Sequence, residues 1–204
     1  QLIDSQRIPT VMMWNYAAQS RYPAVGADNE MAGRLIADHV LSLGHRDIAC
    51  MFPPRAGNDR AEARYRAVLD VLQAGGITVP ARWLLTTVYS ISASKRDALE
   101  MMRAADRPTA LICGNDILAT GALYAAAALG LRVPQDISIV GIGDFKGASE
   151  IEPALTTVRL PAPLIGHETG MALVSAIVEP DRPVTGKHCA PELVVRISSA
   201  PPIR

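Results

Sequence analysis

The chain has 204 residues, 49% of them hydrophobic and 20% charged, and its 20 basic and 20 acidic side chains cancel. Such a chain can bury a substantial core as one large α/β unit or two small lobes, which excludes a disordered protein. Zero net charge excludes a segment that grips nucleic acid or anionic lipid by bulk electrostatics.

No apolar run approaches a bilayer span, and the start, QLIDSQRIPTVMMW, carries neither a basic leader nor a small-residue cleavage site, so a cytoplasmic location is expected. Cys50, Cys113 and Cys189 are odd in number, far apart and set in apolar or strand-like surroundings. They are expected to be reduced core residues, not a disulfide framework or a metal site.

In chain order, Ile8 to Met13 reads as an interior strand, followed by a polar loop to Arg21 and a second strand at Ala24–Ala27. An α/β domain rarely begins with two strands lacking a crossover, so the first lobe is expected to be incomplete. Asp28 ends the second strand, and Asn29–Leu43 is helical by pattern, with Ala32, Ile36, Val40 and Leu43 on one stripe. Ile48–Met51 is a strand, and Arg60–Ala74 a helix with Ala61, Tyr65, Val68 and Leu72 inward. A short strand around Trp83–Thr86, a polar loop and a helix from about Ala93 to Ala105 follow.

Arg107 to Asp144 then forms one βαβ unit. Leu111–Cys113 and Ile137–Val140 are short apolar strands, and Ile117–Leu129 is an Ala- and Leu-rich helix that Asn115 or Asp116 can cap and Gly130 can stop. Repeated strand–helix alternation predicts a parallel sheet, whose ligands sit beyond the carboxyl ends of the strands. Past Asp144 come an irregular stretch, an extended segment at Pro153–Val158, a helix from Pro161 to about Val178, a Pro/Gly linker at Glu179–Lys187, a last strand at Leu193–Ile197 and a proline-rich tail.

Catalytic patterns are absent. Gly141-Ile142-Gly143 follows a strand, but Lys146 stands where a dinucleotide loop needs its third glycine. No phosphate loop, nucleophile elbow or nucleophile–base pair occurs, and His39, His45, His167 and His188 lack ligand spacing. Neither an enzyme, nor a cofactor, nor a metal is expected. What recurs is polar residues where strands end: Asp28, the Asn58–Arg64 segment, Tyr89, Asn115 and Asp144. Carboxylates and amides there can bind hydroxyls, arginines an anionic group, and an aromatic ring an apolar face. Taken singly, each is as readily a cap, a turn residue or a surface charge.

Several motifs together resemble one family. They include Asp28-Asn29, Gly44-His45-Arg46-Asp47-Ile48, Arg64, Arg107-Pro108-Thr109-Ala110, Asn115-Asp116, the run from Gly130 to Gly141, Pro153-Ala154-Leu155-Thr156-Thr157-Val158 and Glu192-Leu193-Val194-Val195-Arg196. Over essentially the whole chain they resemble the effector-binding domain of the lac repressor/galactose repressor family of bacterial transcription regulators. The resemblance implies an α/β, periplasmic-binding-protein-like (type I) fold of two parallel-sheet lobes joined by crossover strands, with a small sugar or nucleobase bound in the cleft. It implies lobes of residues 1–43 plus about 159–182, truncated and proximal to a headpiece, and 44–158 plus 183–204, distal. It also implies a homodimer that reaches operator DNA only through an N-terminal helix-turn-helix missing here, with no membrane partner. A secreted sugar-binding protein of the same fold is the alternative.

By position, Asp28, Asn58, Arg60, Arg64, Tyr89 and Asn115 fall on or near the family's effector contacts, with Tyr89 on an aromatic wall and Asn115 on a hydroxyl-binding amide. Two departures stand out. Gly143 replaces a frequent aspartate, with Asp144 displaced one place on, and Ala67 replaces a helix glycine. Loss of one cleft carboxylate, with Arg60 and Arg64 one helical turn apart, would make the pocket less hostile to an anion. A sugar acid or sugar phosphate is therefore expected as effector.

Overall fold

A computed structural model describes residues 2–6 and 8–203. The chain forms two compact units: residues up to Asn29 with Leu160–Pro191, and Glu30–Arg159 with Glu192 onward.

The first unit opens with a single helical turn, α1 (Leu2–Ser5), and strands β1 (Met12–Asn15) and β2 (Ala24–Ala27). It is completed by α6 (Ala162–Val178) and β8 (Lys187–His188). Its sheet runs β1-β2-β8, all parallel, with Asn15 opposite Ala27 and Gly26 opposite His188. Val25, Ala27, Ile165 and Cys189 make its small core. The first strand lies later than the expected Ile8–Met13, because Pro9 has no N–H to give a ladder and β2 offers partners only from Ala24 onward. The expected linker at Glu179–Lys187 ends in β8, whose two residues are too few to carry a hydrophobic period.

The second unit takes the elements between. They are α2 (Asn29–Ser42), β3 (Ile48–Phe52), α3 (Asp59–Ala74), β4 (Leu84–Thr86), α4 (Ile91–Met102), β5 (Ala110–Cys113), α5 (Asp116–Ala128), β6 (Ser138–Gly143) and β7 (Thr156–Arg159), with β9 (Glu192–Val194) returning at the end. The six-stranded sheet has the order β4-β3-β5-β6-β7-β9, parallel except for the antiparallel β7–β9 pair. Its central strands are buried on both faces. Ala49, Met51, Leu111, Cys113 and Ile139 join one core with Ala98 and Met102 of α4 and Leu118 and Ala122 of α5. The alternate residues Ile48, Cys50, Phe52, Ile112 and Val140 are also buried, as side chains on the other face must be when helices cover both.

The compact units divide at 29/30, 159/160 and 191/192, whereas the resemblance implied lobes dividing at 43/44, 158/159 and 182/183. Helix α2 groups with the second unit because it lies directly against α3. A Cβ on Gly33 would stand 2.6 Å from the Arg64 carbonyl oxygen and 2.9 Å from the Ala67 Cβ, so only glycine lets the two backbones approach this closely. Residues 183–191 group with the first unit because β8 pairs with β2.

Candidate functional site

In the second unit the carboxyl ends of β3, β4 and β5 lead into the segments that carry five of the expected contacts. After β3 the chain turns into α3, capped by Asn58, whose side-chain oxygen accepts the Ala61 N–H at 3.2 Å. The Asn58 amide also donates to the Tyr89 hydroxyl at 3.4 Å, which ties the loop after β4 to the start of α3. Tyr89 itself is 46% exposed, so its ring offers an open aromatic face. After β5, Asn115 caps α5 by accepting the Leu118 N–H at 3.1 Å.

Arg64 is the centre of this end of the sheet. Its residue is only 8% exposed, and Nη1 donates to the Gly114 carbonyl at 3.1 Å. Burial pulls its pKa down to about 10, with Tyr89 and Asp116 opposing that pull and Arg60 adding to it. Arg60, one turn earlier on α3, is exposed. A buried cation held by a backbone carbonyl keeps a fixed, planar donor array, the property that selects hydroxyl and carboxylate oxygens by geometry.

Asp116 stands near it and Asp144 near Asp116, and both carboxylates are engaged by other groups. Asp116 is 3% exposed; its Oδ1 accepts the Thr157 hydroxyl at 2.6 Å and its Oδ2 the Phe145 N–H at 2.9 Å. Burial raises its pKa, partly offset by those hydrogen bonds. Asp144, expected as an effector contact, accepts from Arg159 Nε at Oδ2 and from Arg196 Nη2 at Oδ1, each at 2.7 Å. Burial works against its ionised form, but the two arginines outweigh it and hold the carboxyl below the usual range. The preceding Gly143 has φ +142°, and a Cβ there would stand 2.6 Å from the Phe145 ring, so the turn is built for glycine and not for a residue with a side chain.

Asp28 lies in the first unit, directly after β2. Around it the structure adds residues that sequence reasoning missed. Asn29 Nδ2 donates to Asn15 Oδ1 at 3.1 Å and to the Ala27 carbonyl at 3.3 Å, and the Tyr16 and His188 rings lie 5.2 Å apart. Asn15, Tyr16 and His188 all close their strands at the same sheet end as Asp28. The strand-end rule would have found Asn15 and Tyr16 had β1 been expected to end at Asn15, while His188 was hidden behind an apparent linker. Among the described residues, no cluster of three His, Cys, Asp or Glu side chains could hold a metal, and no helix is long and apolar enough to cross a membrane.

Residues 37–199 match the family described as periplasmic binding protein-like domain. The chain is 32% identical over 198 residues to the HTH-type transcriptional repressor PurR of Photorhabdus laumondii, covering 97% of this chain and 58% of that protein, so it spans little more than half the length of that curated relative. Among solved structures, a LacI family transcriptional regulator from Mycobacterium smegmatis is similar with a TM-score of 0.82 and 33% identity, over 97% of this chain and 72% of that one. A LacI family transcriptional regulator from Enterococcus faecium with bound ribose is similar with a TM-score of 0.85 and 26% identity, over 98% of this chain and 73% of that one. With its doubly wound second unit, its polar strand ends and these relatives, the chain belongs to the lac repressor/galactose repressor (LacI) family as a periplasmic-binding-protein-like effector-binding domain.

Proposed function

We propose that this domain senses a small sugar or sugar acid for a bacterial transcription regulator, binding it at the carboxyl ends of its strands and thereby controlling how the whole protein binds its operator. The observation that carries this reading is Arg64, buried and aimed by the Gly114 carbonyl, with the Asn58–Tyr89 pair and Asn115 at neighbouring strand ends. Such a set combines a fixed cation, amides and an aromatic face, the groups that recognise a polyhydroxylated ring. The ribose in the Enterococcus faecium relative supports a sugar as ligand. Asp28, Asn58, Arg60, Arg64, Tyr89 and Asn115 are the contacts proposed.

A sugar acid or sugar phosphate is favoured among sugars, since Asp116 and Asp144 are internally compensated while Arg60 and Arg64 share a helix. Control of the operator follows as a population shift: an effector that prefers one of two states changes the share of molecules competent for DNA. DNA contact, through a helix-turn-helix outside these residues, a homodimeric assembly and a cytoplasmic location belong to the same proposal. A secreted binding protein of this fold is not favoured, because the relatives named are regulators.

The test is a thermal-shift and calorimetric panel of D-ribose, other neutral sugars, aldonates, sugar phosphates and nucleobases. A true effector at about 100 times its Kd adds roughly 2.7 kcal/mol of apparent stability. If no sugar or sugar acid gives heat or a shift, the sugar-sensing reading falls. Tight binding of a neutral sugar, with none of any aldonate or sugar phosphate, discards the preference for an anion.

A further inference from the structure

The chain leaves the second unit after Arg159 and re-enters it at Glu192. These two residues are directly paired on the antiparallel β7–β9 ladder, where Thr157 faces Val194, Val158 faces Leu193 and Arg159 faces Glu192. One ion cluster sits on this pair of crossings. Arg159 Nη1 lies 3.1 Å from Glu192 Oε2, and Arg159 Nε lies 2.7 Å from Asp144 Oδ2. The other Asp144 oxygen holds Arg196 Nη2 at 2.7 Å, four residues after the chain returns. Arg196 is pinned in turn by the Leu155 carbonyl, at 2.8 Å from Nη1, and its N–H donates to Thr156 Oγ1 at 2.9 Å.

We propose that Asp144 is a positioning residue, not an effector contact: its carboxylate bridges the outgoing strand through Arg159 and the returning strand through Arg196, fixing both crossings as one piece.

Three features of the structure support a built clamp over an incidental surface pair. The Asp144 side chain is 10% exposed and that of Arg196 16%, against 44% for Arg159, so the inner half of the cluster is shielded from solvent and salt while the outer half is not. Asp144 has a backbone φ of +52°, uncommon for a residue with a side chain, and its N–H is held by Thr157 Oγ1 at 3.4 Å. The Thr157 hydroxyl donates to Asp116, whose other oxygen accepts the N–H of Phe145. The turn that presents Asp144 is thereby fixed to the first residue of α5, adjacent to Asn115. Only the bearing of the clamp on effector response rests on the proposed function; the clamp itself stands on the geometry of the crossings.

Amide hydrogen exchange read by mass spectrometry on this chain tests it. In Asp144→Asn, exchange across residues 192–198 is expected to rise at least tenfold while β5 residues 110–113 keep their rate, and Asp144→Glu should restore part of the protection. Because the variant could lose its fold, the parent chain supplies a second readout: raising NaCl from 20 mM to 0.5 M should speed exchange at 192–194, beside the exposed Arg159–Glu192 pair, more than at 196–198, beside the shielded Asp144–Arg196 pair. Unchanged exchange in 192–198, or a rise shared equally by 110–113, overturns the clamp. D-ribose calorimetry on the same variant keeps the two ideas apart. Retained binding with loosened crossings supports the clamp, and binding abolished with crossings intact returns Asp144 to the effector site and overturns it.

Discussion

The Arg64 guanidinium and the Gly114 carbonyl, fifty residues apart in the chain, meet at 3.1 Å at the carboxyl end of the central strands. Helix α3 delivers the cation and the exit of β5 delivers the acceptor. Their bond turns a long flexible side chain into a fixed feature of the site.

Arg64→Lys should therefore lose more than Arg60→Lys. An ammonium keeps the charge but not the planar donor array, so binding of whichever sugar stabilises the parent is expected to weaken at least tenfold in Arg64→Lys and by less than threefold in Arg60→Lys. Arg64→Ala should also cost about 1–3 kcal/mol of stability, since a buried acceptor loses its charged donor. Calorimetry and urea denaturation read the two effects separately.

Asn115 holds two roles that one substitution can split. Asn115→Ala removes the cap of α5 and should cost about 1 kcal/mol. Serine caps nearly as well but is too short to present an amide, so Asn115→Ser should keep most of the stability and lose sugar affinity. Equal affinity in parent and serine variant would confine Asn115 to capping.

The φ of +142° at Gly143 makes this turn unfavourable for the aspartate that the family resemblance would put there. Gly143→Asp is expected to destabilise by about 1–3 kcal/mol, because an L residue is strained there and its Cβ would meet the Phe145 ring. A melting temperature unchanged by that substitution would show that the turn can rearrange.

Acid should weaken the second unit through His45, which is 1% exposed. Its Nε2 lies 2.9 Å from the Ala200 carbonyl, an acceptor only, so Nε2 carries a proton, and its Nδ1 lies 2.9 Å from Thr109 Oγ1. Burial depresses its pKa below the ordinary 6.5, and the Ala200 carbonyl offsets part of this; His39, bonded to Ser199 at 2.9 Å, is depressed by burial too. A depressed histidine means that the unfolded chain binds protons first as pH falls. The stability these rings contribute is thus complete above about pH 6.5 and is lost as pH drops through 6.5 toward their folded values. Denaturation midpoints measured from pH 8 to 5 should fall on the acid side, and His45→Gln should flatten part of that slope.

How much of this was legible beforehand follows from the range of each interaction. The parallel strands, their order along the chain, the cap at Asn115 and the gathering of polar residues at strand ends were readable, because hydrophobic period and capping act over a few residues. The family resemblance put Arg64, Tyr89 and Asn115 on or near effector contacts, and in the structure they lie on the segments that follow β3, β4 and β5. By contrast, the assignment of α2 to the second unit hangs on Gly33 meeting Arg64 and Ala67, residues some thirty positions away. Strand β8 exists only because β2 offers it an edge. Asp144 could be named from sequence as a carboxylate near a binding site, but its engagement by Arg159 and Arg196 could not, since ion pairs across 15 and 52 residues leave no local pattern. Short-range propensity wrote the elements into the sequence; long-range packing and charge pairing, which act only once the chain has closed on itself, decided what each polar side chain does.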